Sequence, residues 1–414
     1  MKSRIGCLYF KRNGGSRQNP FGEWVLASDK PENLVLGAAA KDDGTRTWLP
    51  ARDESLPLRA ADVFRIRISA SDKPENLALG VAVWYLFTFL CYTGNNKEKE
   101  TWTVAERSVQ EINRAVEEHL AATVAEAEDE YRAHLEDLAD KIVLRGTRVV
   151  LLAGPSSSGK TTTANMLADC LRQGGHAATV ISLDDFYYSK DDPRYPRTPE
   201  GTLDYETPHA LRLDLIRQTI RRILRGEPAP VPKFDFKIGR RWDNAAVVDI
   251  PRGGCAIIEG LHALNPLMTE GIDTGAVARV FVSVSTNISD DGQRLLSGRK
   301  VRFIRRLTRD YLYRASGVDR TLSLWQGVLA GEDRYLYPFK DSAEFRFDTF
   351  HLYELGVMRP FAERVLAADT QTHDPYLDVI REALARFTEI PLANVPETSL
   401  IREFVPGGIY ENLY

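Results

Sequence analysis

The chain has 414 residues, 43% hydrophobic and 27% charged, a composition with enough apolar material for a buried core and a length that suits two or three units. Its formal net charge of −4 lacks the basic excess of a nucleic-acid-binding protein, so no nucleic-acid partner is expected. The cysteines Cys7, Cys91, Cys170 and Cys255 form no CxxC pair, which argues against a zinc site or disulfide framework and for reduced thiols in the cytoplasm.

Met1-Lys2-Ser3-Arg4 is followed by no long apolar stretch, so no signal peptide is expected. Ser28-Asp29-Lys30-Pro31-Glu32-Asn33-Leu34 recurs at residues 71–77, and both copies continue x-Leu-Gly. Two copies read as a local duplication, since a solenoid needs at least three stacked units. Phe64 to Ile68 alternates apolar and basic residues, the pattern of a half-exposed strand. Leu77 to Gly94 carries no charge and reaches the lower limit of about 18 residues for a membrane span. Its aromatics Trp84, Tyr85, Phe87 and Phe89 lie in the middle rather than at the ends, which favours a buried helix or strand pair over a membrane tether. Residues 1–103 are set apart as an accessory region without an assigned function.

From Val104 to Lys141 the chain is rich in Glu, Ala, Arg and Leu and has neither Pro nor Gly. This predicts one long helix or a hairpin, a connector over 104–145. A packed scaffold is favoured over a dimerising arm, with a homo-oligomer left open. Beyond Gly146, short β-branched runs at 149–153, 178–183, 256–258 and 280–284 alternate with helical stretches. The pattern predicts an α/β fold, a parallel sheet with helices on both faces, whose chemistry sits at the carboxyl ends of the strands.

Gly154-Pro155-Ser156-Ser157-Ser158-Gly159-Lys160-Thr161 fits GxxxxGK[ST] between a predicted strand and a helix from Thr162 to Leu171, the context a P-loop requires. Such a loop closes backbone N–H groups around phosphate oxygens. The lysine reaches the β- and γ-phosphates of ATP, and the threonine ligates Mg2+. The second strand ends at Asp184-Asp185, where a carboxylate can take a proton from an attacking hydroxyl or merely cap a turn. The third ends at Glu259-Gly260, where a carboxylate can hold the magnesium shell opposite Thr161. Arg302, Arg305, Arg306 and Arg309 share one helix face, opposite Ile304, Leu307 and Tyr311. They read as a solvated face or as cations closing over a transferring phosphoryl group, and Gly317 suggests the end of that helix and a mobile flap.

The segments GPSSSGKTT, ISLDDFY, LDYETPHAL, VPKFDFKIGRR, IIEGLHAL and VRFIRRLTRD follow one another over about Thr147 to Ala367. In that order they resemble the phosphoribulokinase/uridine kinase family of P-loop kinases. The tail from Ser399 to Phe404 resembles a bacterial nucleoside kinase subgroup. The resemblance implies a P-loop kinase domain over 146–370, followed by a C-terminal helix and tail over 371–414. It implies an ATP-dependent kinase with Mg2+ as cofactor and a small, nucleoside-like acceptor. Asp184 becomes the general base toward a ribose 5′-hydroxyl, Lys160 a catalytic cation, and residues Gly154, Ser156, Ser157, Ser158, Gly159, Lys160, Thr161 and Thr162 the ATP cradle. Thr161 and Glu259 become the metal residues. Glu206 takes the place of an aspartate near the sugar hydroxyls, with Tyr187, Phe234 and Arg241 also on the acceptor side. Arg306, Arg309 and Arg314 form a lid over the phosphates. Two departures stand out: uridine kinases place a tyrosine and a histidine where this chain has Phe234 and Gly239, so a less selective base pocket is expected. Extra sequence also lies between Ser289 and Lys300. The competing readings are a kinase of the same fold acting on a sugar phosphate or another alcohol, and a non-catalytic P-loop regulator.

Overall fold

The computed structural model describes the backbone at residues 24–25, 35–40 and 46–50, and the chain at 104–368 and 374–411. The repeated SDKPENL segments, the alternating run 64–68 and the uncharged run 77–94 lie outside the described residues. The chain divides into Met1–Lys99 and Glu100–Tyr414. In the first unit, β1 (Trp24–Val25), β2 (Val35–Ala40) and β3 (Arg46–Pro50) form an antiparallel sheet in that order.

The second unit opens with β4 (Glu106–Ser108) and the helix α1 (Val109–Leu144). The first residues of the expected helix are therefore a strand, and Ser108 starts the helix by accepting from the Glu111 N–H at 3.0 Å. His119 departs from helical geometry (φ −146°, ψ 43°), so α1 is a broken rod. It buries Ile112, Val116, Val124, Tyr131, Leu135, Leu138 and Ile142 in the core, the packed-scaffold arrangement.

The central sheet follows from the apolar runs. β5 (Val149–Ala153) is followed by α2 (Lys160–Gln173) and β6 (Ala178–Ser182). Next come α3 (Leu213–Arg225), the antiparallel hairpin of β7 (Ala229–Asp235) and β8 (Arg240–Val248), and β9 (Cys255–Glu259). After β10 (Val277–Ser283), β11 (Asn287–Asp290) and β12 (Gln293–Leu296) come α4 (Gly298–Arg314) and α5 (Val318–Tyr335). β13 (Phe345–Asp348), α6 (Glu354–Ala368) and α7 (Pro375–Leu384) complete the elements. The sheet order is β13-β10-β5-β9-β6, parallel throughout.

Every residue of β5 is buried, and alternate residues serve two cores. Val150 and Leu152 join Ala164, Leu167 and Leu171 of α2 and the apolar face of α1. Val149, Leu151 and Ala153 join Ile216, Ile220 and Ile223 of α3, which fall at i, i+4 and i+7 and give that helix its apolar stripe. Helices on both faces explain why the strands are apolar runs rather than alternating ones. The extra sequence after the fourth sheet strand is a β11–β12 hairpin turned by Asp291-Gly292, both at positive φ. It pairs in parallel with β4 and so ties the start of α1 to the segment that follows β10. The C-terminal tail wraps back onto α2: a Cβ on Gly159 would meet Leu400 at 2.8 Å, and the Tyr410 hydroxyl donates to Asp169 at 2.5 Å.

Candidate active site

Because the strands are parallel, their carboxyl ends share one edge. Leu152 of β5 and Ser182 of β6 are both in register with Glu259 of β9. The glycine-containing loop after β5, Asp184 after β6 and Glu259 at the end of β9 therefore emerge side by side, the place where such sheets bind ligands.

The loop 154–159 is shaped by what it lacks. A Cβ on Gly154 would meet the Val282 carbonyl at 2.5 Å and the Ser158 hydroxyl at 2.6 Å. Gly159 is left-handed at φ +83° and starts α2, directing that helix's free N–H groups into the loop. Ser157 also holds a positive φ of 56°, a strained conformation that turns the loop back on itself. The buried hydroxyls of Ser157 and Ser158 and the Oε2 of Glu259 have no hydrogen-bond partner. Unsatisfied buried polar atoms on both sides of the cradle fit a ligand that supplies the missing partners, a polyphosphate with its cation. Among the described residues no three His, Cys, Asp or Glu side chains gather into a metal cage. A magnesium shell completed by a hydroxyl, phosphate oxygens and water needs no such cage.

The structure separates the two adjacent aspartates. Asp185 accepts from the Phe234 N–H at 3.1 Å and pairs with Lys233 at 3.1 Å, so it anchors the β7 strand. Asp184 sits on the short 3-10 turn Leu183–Phe186 and is half-buried. Burial pushes its pKa up, opposed first by Lys160 and reinforced by Asp185. Glu259 is raised for the same reason, burial, with Lys160 again opposing and Asp184 adding repulsion. Asp184, Glu259 and Lys160 thus form one electrostatic cluster at the mouth of the loop, and Lys160 supplies its positive charge.

The arginine helix differs from the expected face. Arg302 and Arg305 are fully buried, because α4 is packed against α5 and α6 and has no solvated side there. Arg302 forms a bidentate pair with Glu332 of α5, 2.8 Å at both contacts, and Arg305 pairs with Glu354 of α6 at 3.1 and 2.6 Å. The three expected as a lid gather around Asp310, which lies 3.3 Å from Arg306, 3.2 Å from Arg309 and 3.4 Å from Arg314. Arg309 also lies 3.7 Å from Glu403, so two carboxylates face three guanidiniums, ordering them while leaving net positive charge. Arg314 is lowered to about 10, chiefly by the charge of Arg309 and then by burial. The helix ends at Arg314 with Ala315 left-handed, and Gly317 caps the next helix rather than ending this one.

On the acceptor side, Glu206 is pushed up to about 7 by burial, with Arg306 opposing and Glu332 reinforcing. The Tyr187 hydroxyl donates to the Tyr205 carbonyl at 3.1 Å, and its ring meets Phe234 edge-on at 6.1 Å. Phe234 also packs on Phe236 at 4.8 Å. Gly239 leaves no open space: a Cβ there would run into the stem of Lys190. Arg241 is committed elsewhere, donating to Asp243 at 2.7 Å and to the Tyr187 carbonyl at 2.7 Å, so it braces the site instead of offering a free cation. His262, which sequence reasoning passed over inside IIEGLHAL, is buried beside the Glu206 backbone and Tyr335. Neither ring nitrogen reaches a partner in hydrogen-bonding geometry, and burial lowers its pKa to about 4.

Residues 149–352 match the Phosphoribulokinase / Uridine kinase family. This segment belongs to that family. The match begins at β5 and carries the loop, both strand-end carboxylates and the arginine helix. A uridine kinase from Staphylococcus aureus is 26% identical over 203 residues, which span 49% of this chain and 87% of that protein. Among solved structures, a possible uridine kinase from Bacillus stearothermophilus matches with a TM-score of 0.35 and 21% identity, over 53% of this chain and 100% of that one. A D-glycerate 3-kinase from Cryptococcus neoformans matches with a TM-score of 0.23 and 24% identity, over 31% of this chain and 52% of that one. A phosphoribulokinase/uridine kinase family core implies a phosphotransferase that uses ATP on a small-molecule alcohol. No helix among the described residues is long and apolar enough to cross a membrane.

Proposed function

We propose that this chain transfers the γ-phosphoryl group of ATP to the 5′-hydroxyl of a ribonucleoside-like acceptor. The observation that supports the reading is the proximity of the loop, Asp184 and the Asp310-centred arginines: Arg306 donates to the Ser156 hydroxyl at 2.9 Å, and Asp184 feels the charges of Lys160 and Arg314. Asp184 takes the acceptor proton as that oxygen attacks the γ-phosphorus. The bond from phosphorus to the β–γ bridging oxygen breaks, and ADP leaves. Lys160 and the arginines Arg306, Arg309 and Arg314 face the charge that builds on the phosphoryl oxygens. Thr161 and Glu259 would hold a magnesium ion, which would supply charge neutralisation when bound. Glu206, with its raised pKa, offers a carboxyl group to the diol flanking the reacting hydroxyl.

The base end of the acceptor site is aromatic, built from Tyr187, Phe234 and Phe236. Stacking on such a surface tolerates several bases, since an apolar pocket discriminates by only about 10–200-fold, against ~10⁴–10⁵-fold for one that hydrogen-bonds its substrate. The test is kcat/KM for uridine, cytidine, adenosine, guanosine and inosine under one set of conditions. Values within about 200-fold of one another support the aromatic pocket. A preference for pyrimidines above about a thousandfold contradicts it. Activity confined to a sugar phosphate or another non-nucleoside alcohol overturns the nucleoside assignment.

A further inference from the structure

Ser156 lies in the phosphate-binding loop, yet its polar groups are turned away from the cradle. Its N–H donates to Glu332 Oε1 at 2.8 Å. Its carbonyl accepts from Arg302 Nη1 at 2.8 Å, and its hydroxyl is bonded by Arg306 Nη1 at 2.9 Å. The Ser156 N–H is thus taken up by Glu332 in this structure. Glu332 and Arg302 are themselves joined by the bidentate pair and are wholly buried. The ring of Trp325 covers both guanidiniums, with Arg302 at 5.5 Å and Arg306 at 6.0 Å from its centroid. The same turn of α5 bears on the acceptor side, where a Cβ on Gly331 would meet Glu206 Oε2 at 2.6 Å.

A buried ion pair is a costly way to fill a core, and apolar residues of similar volume often do as well or better. Here the pair has a second use. The fork of Arg302 and the two oxygens of Glu332 have partners on each other and on both backbone groups of Ser156. They therefore hold the loop by its backbone at Ser156, directly before Ser157, Ser158 and Gly159. We propose that Glu332 is a positioning residue for ATP binding, acting with Arg302 through Ser156 to hold the phosphate-binding loop in its receptive shape. The proposal rests on the loop being the ATP site and does not depend on which acceptor is used.

The experiment measures binding of the non-hydrolysable analogue AMP-PNP with magnesium, without acceptor, by titration calorimetry, alongside thermal melting. In the double variant Arg302→Met/Glu332→Leu, apolar packing replaces the pair. Melting is expected to stay within about 5 °C of the wild type, while the Kd for the analogue rises at least about tenfold, because a loop misplaced by an ångström loses its alignment with the phosphates. Arg302→Lys keeps the charge opposite Glu332 but cannot bond both Glu332 and the Ser156 carbonyl with one rigid fork. It is expected to weaken binding less than the double variant, and it carries the test if the double variant does not fold. A Kd within about twofold of wild type in the folded variants, against the tenfold expected, overturns the proposal. Failure of the wild type to bind AMP-PNP overturns the donor site and this proposal with it.

Discussion

Replacing each of the adjacent aspartates in turn separates a chemical role from an anchoring one. Asp184→Asn keeps the shape of the side chain but cannot take a proton, so kcat should fall by ~10²–10⁴-fold. Its stability should move the other way. A buried carboxylate with a raised pKa is destabilising when ionised, and burial is the main cause at Asp184. Asp184→Asn should therefore melt at the same temperature as wild type, or higher, at pH 8. Asp185→Ala should show the reverse pattern. It loses the bond from the Phe234 N–H, a hydrogen bond to a charged group with a net worth of about 1.5–3 kcal/mol. The Lys233 pair adds little, since that lysine is mostly exposed. For the unit Glu100–Tyr414 the loss corresponds to a melting decrease of roughly 2–5 °C, with a smaller change in kcat. Both variants are read by coupled detection of ADP at saturating ATP and acceptor, and by calorimetric melting. A fall in kcat of less than about threefold in Asp184→Asn, or a larger loss in the Asp185 variant, would refute the assignment of the base.

Lys160→Ala should abolish phosphoryl transfer and leave nucleotide-free melting nearly unchanged, because no backbone group replaces its charge; full turnover in that variant would contradict the kinase reading. Arg305→Ala should act on stability, costing roughly 3–5 kcal/mol by leaving Glu354 buried and uncompensated, and melting curves at equal ionic strength would show it. Glu206 holds its proton up to about pH 7 when folded, against an ordinary 4.5. The unfolded chain releases that proton first, so this group's contribution is full below pH 4.5 and is lost as pH rises through about 7. Glu206→Gln should flatten the decline of apo-protein melting between pH 5 and 8, and an unchanged slope would show that another group is responsible.

The parts of this fold that were legible in sequence are those set by local chemistry. The β-branched runs at 149–153, 178–183, 256–258 and 280–284 became four of the five sheet strands, because residues buried on both faces must be apolar throughout. The phosphate-binding loop was readable because its glycines answer to backbone geometry. β13 escaped notice: Phe345-Arg346-Phe347-Asp348 alternates as an edge strand does and carries no continuous apolar run. The arginine helix misled for a different reason. Spacing shows which arginines share a face, but the acids that bury Arg302 and Arg305 lie 30 and 49 residues further along the chain. His262 and Glu403 escaped because their significance is tertiary. The Glu403 carboxylate accepts from the Thr162 hydroxyl at 2.8 Å across 241 residues of sequence.

The central claim is that these residues move a phosphoryl group from ATP to an alcohol. Its most direct test incubates the 414-residue chain with ATP, magnesium and, one at a time, ribonucleosides, sugar phosphates and sugar alcohols, with ADP and the acceptor product both quantified by mass spectrometry. The account predicts a nucleoside monophosphate formed one-for-one with ADP and lost in Asp184→Asn. ADP released with no phosphorylated acceptor across the whole panel would contradict it.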